Sequence, residues 1–149
     1  MIEPSSKLQE IFDNAAVVAK SHNHEFITIE HLMFSILNDD ETYTLLSDGF
    51  GADSEFIKTN LDHYLKNNLK DIVTNDPNHK PTKTNSVERV LNRSFTQVLF
   101  SGRQRMEVPD VIISVLSEKN SFSHYFLTKG GVTKEKFVRF FQENMVAAN

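Results

Sequence analysis

Residues 6–19 read SKLQEIFDNAAVVA, and residues 85–98, 79 positions later, read NSVERVLNRSFTQV. Leu8, Ile11, Phe12, Ala15, Ala16 and Ala19 fall on Val87, Val90, Leu91, Ser94, Phe95 and Val98. Both sets keep the i, i+3, i+4, i+7 spacing of one helical face. The starts agree as well. Ser6-x-x-Gln9 and Asn85-x-x-Glu88 read as capping boxes, in which the first side chain accepts from the N3 amide and the N3 side chain reaches back. Self-similarity at a fixed period marks a duplicated architecture.

The correspondence continues outward. Ile29, Leu32, Met33, Ile36 and Leu37 fall on Val108, Val111, Ile112, Val115 and Leu116, and Ser35 falls on Ser114. Thr28 suits the N-cap of the first of these helices, and Pro109 sits early in the second, where its missing N–H is harmless. A short third helix is expected at about 41–48, stopped by Gly49, and again at about 122–129, stopped by Gly130 in the left-handed conformation. Asp53 and Thr133 then cap fourth helices carrying Phe56, Ile57, Leu61, Tyr64 and Leu65, and Phe137, Val138, Phe140 and Phe141. Residues 71–84 lack an apolar period and hold Pro77 and Pro81, so they read as an exposed linker.

The fold class is therefore all-α: a duplicated four-helix unit, about eight helices, with no strand-like alternation. Residues 1–149 form one module, with repeat one at 5–70, a linker at 71–84 and repeat two at 85–146. A unit of about 65 residues makes only a marginal core by itself. The two are expected to pack together with pseudo-twofold symmetry.

Composition narrows the function. The net charge is −4 and is read as spread along the chain, which argues against a nucleic-acid footprint. No cysteine is present, which removes disulfides and thiolate chemistry and fits a reducing compartment. Residues 1–9 carry no apolar signal region, and no apolar run nears the ~20 residues that span a bilayer. A cytoplasmic protein without membrane contact is expected. It is expected to be monomeric in isolation, since no long heptad seam runs through it.

Nucleotide and hydrolase motifs are missing: no P-loop, no G-x-G-x-x-G, no G-x-S-x-G and no H-E-x-x-H. His22, His24 and Glu25, with His31 from the next helix, have side chains able to ligate a metal. The same residues also read as a polar turn followed by a hydrogen-bonded core histidine. Glu25 and Glu30 flank Thr28 with no nucleophile nearby, and Glu30 suits the positive end of a helix. Arg89, Arg93, Arg103 and Arg105 read equally as a solvated face or as a docking surface for an acidic partner. Phe100 suits helix-end packing.

The stretch His22-Asn23-His24-Glu25-Phe26-Ile27-Thr28-Ile29-Glu30-His31-Leu32 resembles the H-x-H-E-F-x-T-x-E-H-L segment of ClpA-type N-domains. Pro81-Thr82, Arg89-Val90-Leu91-Asn92-Arg93 and Ser101-Gly102-Arg103 are similar to the P-T, R-V-L-x-R and S-G-R series of the same domains. The resemblance to the Clp N-domain family runs in order over essentially the whole chain. It implies a pseudo-symmetric eight-helix bundle, without catalysis of its own, that docks a ClpS-type adaptor or protein substrates for ATP-dependent proteolysis. By the same resemblance, adaptor contacts fall on Glu25, Glu30 and Thr82, with Arg93 beside them. The zinc associated with the family's H-E motif would fall at His24. Related domains bind phosphoarginine through a motif repeated in both copies. Here Val108-Pro109-Asp110-Val111 lacks it. A chain of this kind without an ATPase could only bind, as a modulator or decoy of a host Clp system. A direct unfolded-polypeptide binder and a zinc-dependent enzyme are the rival readings.

Overall fold

The computed structural model describes residues 1–148, with side chains through Asn144. Asn149 lies outside the described residues. Eight helices are present: α1 (Ser6–Ser21), α2 (Ile29–Asn38), α3 (Asp40–Thr44), α4 (Ser54–Asn67), α5 (Asn85–Phe100), α6 (Val108–Leu116), α7 (Phe122–Lys129) and α8 (Lys134–Ala148). Four two-residue strands punctuate them: β1 (Glu3–Pro4), β2 (Phe26–Ile27), β3 (Thr82–Lys83) and β4 (Arg105–Met106).

These strands qualify the expectation of a bundle free of β-structure, and they also reveal its symmetry. β1 pairs with β4 in parallel, Glu3 opposite Arg105, and β2 pairs with β3 in parallel, Phe26 opposite Thr82. Adding 79 to Glu3 gives Thr82, and adding 79 to Phe26 gives Arg105. Each copy thus lends the strand before its first helix to the strand before the other copy's second helix. Two residues are too short to show an alternating pattern, so the sequence carries no strand signal. Thr82 and Lys83 fall in the segment read as linker. That segment is also tied down by a bridge from His24 to Val73 and by Lys20 Nζ, which donates to the carbonyl of Pro77 at 3.0 Å.

The caps repeat with the same period, one residue earlier than the sequence suggests. Ser5 accepts from the Leu8 amide, and Thr84 accepts from the Val87 amide. The hydroxyl wins because the N-cap sits in extended backbone just outside the helix, so its oxygen faces the N3 amide. A tertiary bond repeats too. Ser35 Oγ donates to the carbonyl of Ile11 at 2.7 Å, and Ser114 Oγ donates to that of Val90 at 2.7 Å. These hydroxyls satisfy themselves while clamping the second helix of each copy onto the first.

α2 and α6 are the centre. Nearly every residue from Ile29 to Leu37 and from Val108 to Leu116 is buried, and helices apolar all round need neighbours all round. α1, α4 and α7 cover α2, while α5, α7 and α8 cover α6. A single cluster joins Leu8, Met33 and Ile57 of one copy to Val90, Ile112 and Phe137 of the other.

Two glycine assignments shift. The chain leaves α3 through a π-helical turn, Leu45–Gly49, and the left-handed residue is Gly51 (φ 87°), not Gly49. After α7 it is Gly131 (φ 98°), not Gly130. Gly130 is needed for space instead, because a Cβ there would run into the Ile57 side chain. Its carbonyl also accepts from the Asp53 amide at 2.9 Å, fixing α4 to the end of α7. Gly130→Ala should therefore destabilise by about 1–3 kcal/mol through overpacking. Thermal melts should show Gly130→Ala plus Ile57→Ala losing less than the two single changes added together. Strict additivity would mean the two residues do not collide.

Candidate functional site

The side chains singled out in the sequence do not form one cluster. Glu25 and Thr82 lie side by side, because the Thr82 amide donates to the Glu25 carbonyl at 3.1 Å as the β2–β3 ladder begins. Both are exposed, and Phe26 beside them is partly so. The ladder leads into the N-caps Thr28 and Thr84, one from each copy. Beyond them opens a cleft of about 560 Å³, lined by Glu30, Tyr64, Arg89, Glu118 and Phe122 among others.

Glu30 sits at the edge of this cleft but is 7% exposed. Its carboxylate accepts from the Ser123 amide at 3.0 Å and from Ser123 Oγ at 2.9 Å. It thereby caps α7 of the other copy from a distance, a carboxylate at the positive end of a helix. Burial pushes its pKa up, against the Ser123 hydrogen bonds that pull it down. Arg93 likewise faces inward in part. It donates to the Ser114 carbonyl at 2.8 Å and to Glu118 at 2.6 Å. Arg89 also grips Glu118, and the pair of arginines holds that carboxyl below its ordinary range. Of the four residues, Glu25 and Thr82 are exposed and joined through their backbones, while Glu30 and Arg93 brace the elements behind them.

His24 and His31 form a buried pair, 3% and 0% exposed, with Nδ1 of His24 2.8 Å from Nε2 of His31. The tautomers follow from one neighbour. The Thr28 amide can only donate, and it points at His31 Nδ1 at 2.9 Å. Nδ1 is thus the acceptor, and His31 carries its proton on Nε2 and donates to His24 Nδ1. The rings of His22 and His24 stack at 5.3 Å. Nδ1 of His24 and both ring nitrogens of His31 are engaged with one another and with the helix cap. Among the described residues no three His, Asp or Glu side chains converge as a metal cage would require. His24 and its neighbours therefore do not fit a zinc ion.

The duplicate supplies the explanation. Seventy-nine positions on, His24 and His31 become Arg103 and Asp110, which form a part-buried ion pair. Asp110 also accepts from the Glu107 amide at 2.8 Å, just as His31 accepts from that of Thr28. One position in the repeat is thus filled by two different bonded pairs, each capping its helix and tying it to the preceding loop.

A second cleft, of about 570 Å³, was not anticipated. It is lined by Arg93, Thr96, Gln97 and Phe100 of α5, by Ile113 of α6 and by Val138 and Phe141 of α8. Phe100 is 85% exposed, so it does not pack at the helix end as expected. The i, i+3, i+4, i+7 spacing of Arg93, Thr96, Gln97 and Phe100 marks this face, but its mixed polarity hides it from a search for apolar stripes.

A tandem helical module with surface clefts and an exposed ladder edge is the class these features define. The sequence matches the model of the Clp repeat N-terminal domain over residues 3–130, and the chain belongs to that family. It is 26% identical over 136 residues to a ClpA homolog protein from Fuscovulum blasticum, a match covering 91% of this chain and 17% of that protein. The chain thus spans about a sixth of that relative's length. Its fold resembles the Hsp104 N-terminal domain from Candida albicans (TM-score 0.77, 12% identity, 93% of this chain and 88% of that one). It also resembles a ClpV N-domain in complex with a VipB peptide (TM-score 0.61, 14% identity, 93% and 84%). No helix among the described residues is long and apolar enough to cross a membrane.

The histidine pair makes a distinct pH prediction. Burial, and then the neighbouring imidazoles, push the pKa of His31 down to about 3, and burial lowers that of His24. The unfolded chain then takes up protons first, near pH 6.5, so stability falls as pH drops from about 7. His31 alone should account for a loss of about 2 kcal/mol between pH 6.5 and 5, at ~1.4 kcal/mol per pH unit. Transplanting the other copy's solution, His24→Arg with His31→Asp, should flatten the melting temperature over that range. An unaltered slope would show that the acid sensitivity arises elsewhere.

Proposed function

We propose that this domain is a non-catalytic docking module for a Clp-type AAA+ machine, receiving a ClpS-type adaptor on the surface where Glu25 and Thr82 meet. The observation that carries this reading is their juxtaposition across the β2–β3 ladder. Two exposed residues from different copies, joined by a backbone hydrogen bond, lie on the ladder that leads to Thr28 and Thr84, which line a cleft that both copies build. Such a rim can set specificity by charge and hydrogen bonding, while Phe26 and Phe122 supply apolar area. Glu30 and Arg93 serve the same surface from within: Glu30 by capping α7, Arg93 by holding Glu118 and the end of α6. A cytoplasmic location and a role in regulated proteolysis follow if the adaptor reading holds.

A direct polypeptide-binding role is the second reading, favoured by the exposed Phe95, Leu99 and Phe100 on α5. The two separate by mutation. In titration calorimetry with a purified ClpS-type adaptor, Glu25→Ala with Thr82→Ala should weaken binding at least tenfold and leave the melting temperature within about a degree. Glu30→Ala should instead lower the melting temperature, because the buried amide and hydroxyl of Ser123 lose their acceptor, at a cost of about 1–3 kcal/mol in stability. Adaptor affinity indifferent to Glu25 and Thr82 would remove this surface from the function.

A further inference from the structure

The net charge of −4 is not spread along the chain. Residues 1–79 hold five lysines and no arginine against 14 carboxylates, a net of −9. Residues 80–149 hold 11 lysines and arginines against six carboxylates, a net of +5. All five arginines lie in the second copy. The second cleft is cut into this basic half. Its walls carry Phe100, Ile113, Val138 and Phe141, and its charged lining is Arg93, Arg103 and Asp110.

Of the carboxylates that answer these arginines, Asp110 is buried and Glu118 half-buried. Asp110 takes Arg103 from below, and Glu118 takes Arg93 and Arg89 from behind. Arg103 also lies over the Phe141 ring, 5.5 Å from its centre, a cation–π contact within the cleft lining. The cleft therefore offers aromatic and aliphatic surface inside a positive field, on a domain whose other half is strongly negative.

We propose, resting on the protein-binding reading above, that this cleft docks an acidic polypeptide segment with interspersed large apolar side chains. Its apolar groups would seat against Phe100, Val138 and Phe141, and its carboxylates would face Arg93 and Arg103. The acidic first copy repels the same segment and so confines it to the second copy. A basic or neutral apolar segment lacks that guidance. Engagement here is separate from the Glu25–Thr82 surface, so one domain can hold two partners.

The test uses two fluorescent peptides of about 12 residues, ~18 Å long when helical. Both carry the same Leu and Phe positions, one with Glu and Asp between them, the other with Lys and Arg. The acidic peptide should bind the domain at least about tenfold more tightly, and its affinity should fall as salt shortens the screening length. Phe100→Ser, at a position too exposed to support the fold, should weaken it about tenfold. Thr96→Glu places a like charge in the cleft on an exposed helical position and should also weaken it, while leaving the basic peptide no weaker. Circular dichroism melts confirm that both variants fold. Equal binding of the two peptides, or acidic binding indifferent to Phe100→Ser and Thr96→Glu, overturns the proposal. So does stronger binding of a single-stranded DNA of similar charge. If the acidic peptide fails while a ClpS-type adaptor still binds through Glu25 and Thr82, only this cleft assignment falls. If neither binds, the protein-docking reading falls with it.

Discussion

The burial of α2 and α6 is the constraint from which the rest of the architecture follows. Each is apolar on nearly its whole circumference, so neither can rest against one layer of neighbours and face water on the other side. A single four-helix unit supplies too few flanking helices. Only with both copies in place is each central helix enclosed, with α7 reaching across to touch α2 and with Glu30 bonded to Ser123 through that contact. The two parallel strand pairs lock the same arrangement from outside. They place Glu25 beside Thr82, so the exposed surface at that ladder is a by-product of how the copies interlock.

Much of this was readable from residues alone, because the helical faces are long and their period is strict. Leu8 through Ala19 and Val87 through Val98 bury most of the side chains their spacing assigns, including Leu8, Ile11, Val87 and Val90, with Phe95 the exposed exception. The matched serines Ser35 and Ser114 even make the same bond. What escaped was short or non-local. Two-residue strands carry no pattern, and their partners lie far away in sequence. The left-handed glycines are misplaced because a π-turn after α3, and the space Ile57 needs beside Gly130, depend on packing that no local rule encodes.

The candidate site was less legible for a related reason. A residue type and a motif position say that Glu30 has a task, but not whether it faces a partner or the interior. Its hydrogen bonds to Ser123, 93 residues away, decide that, and they exist only in the folded chain. His24 and His31 looked like ligands because imidazole is a common ligand. Comparison with Arg103 and Asp110 recasts them as a neutral version of an ion pair. Phe100 was assigned to packing on the assumption that a phenylalanine at a helix end is covered, whereas its ring stands in solvent over a basic cleft.

The crossed strand pairing bears on how this molecule reaches its native state. Each repeat presents one strand to give and one edge to receive, and it can satisfy neither from its own residues. Two separate repeats would have to find each other by diffusion, at a rate set by their abundance. Joined by residues 71–84, they meet at an effective concentration on the order of mM. Assembly of the pair thereby ceases to depend on how much of the protein is present, and a symmetric encounter becomes a folding step within one chain.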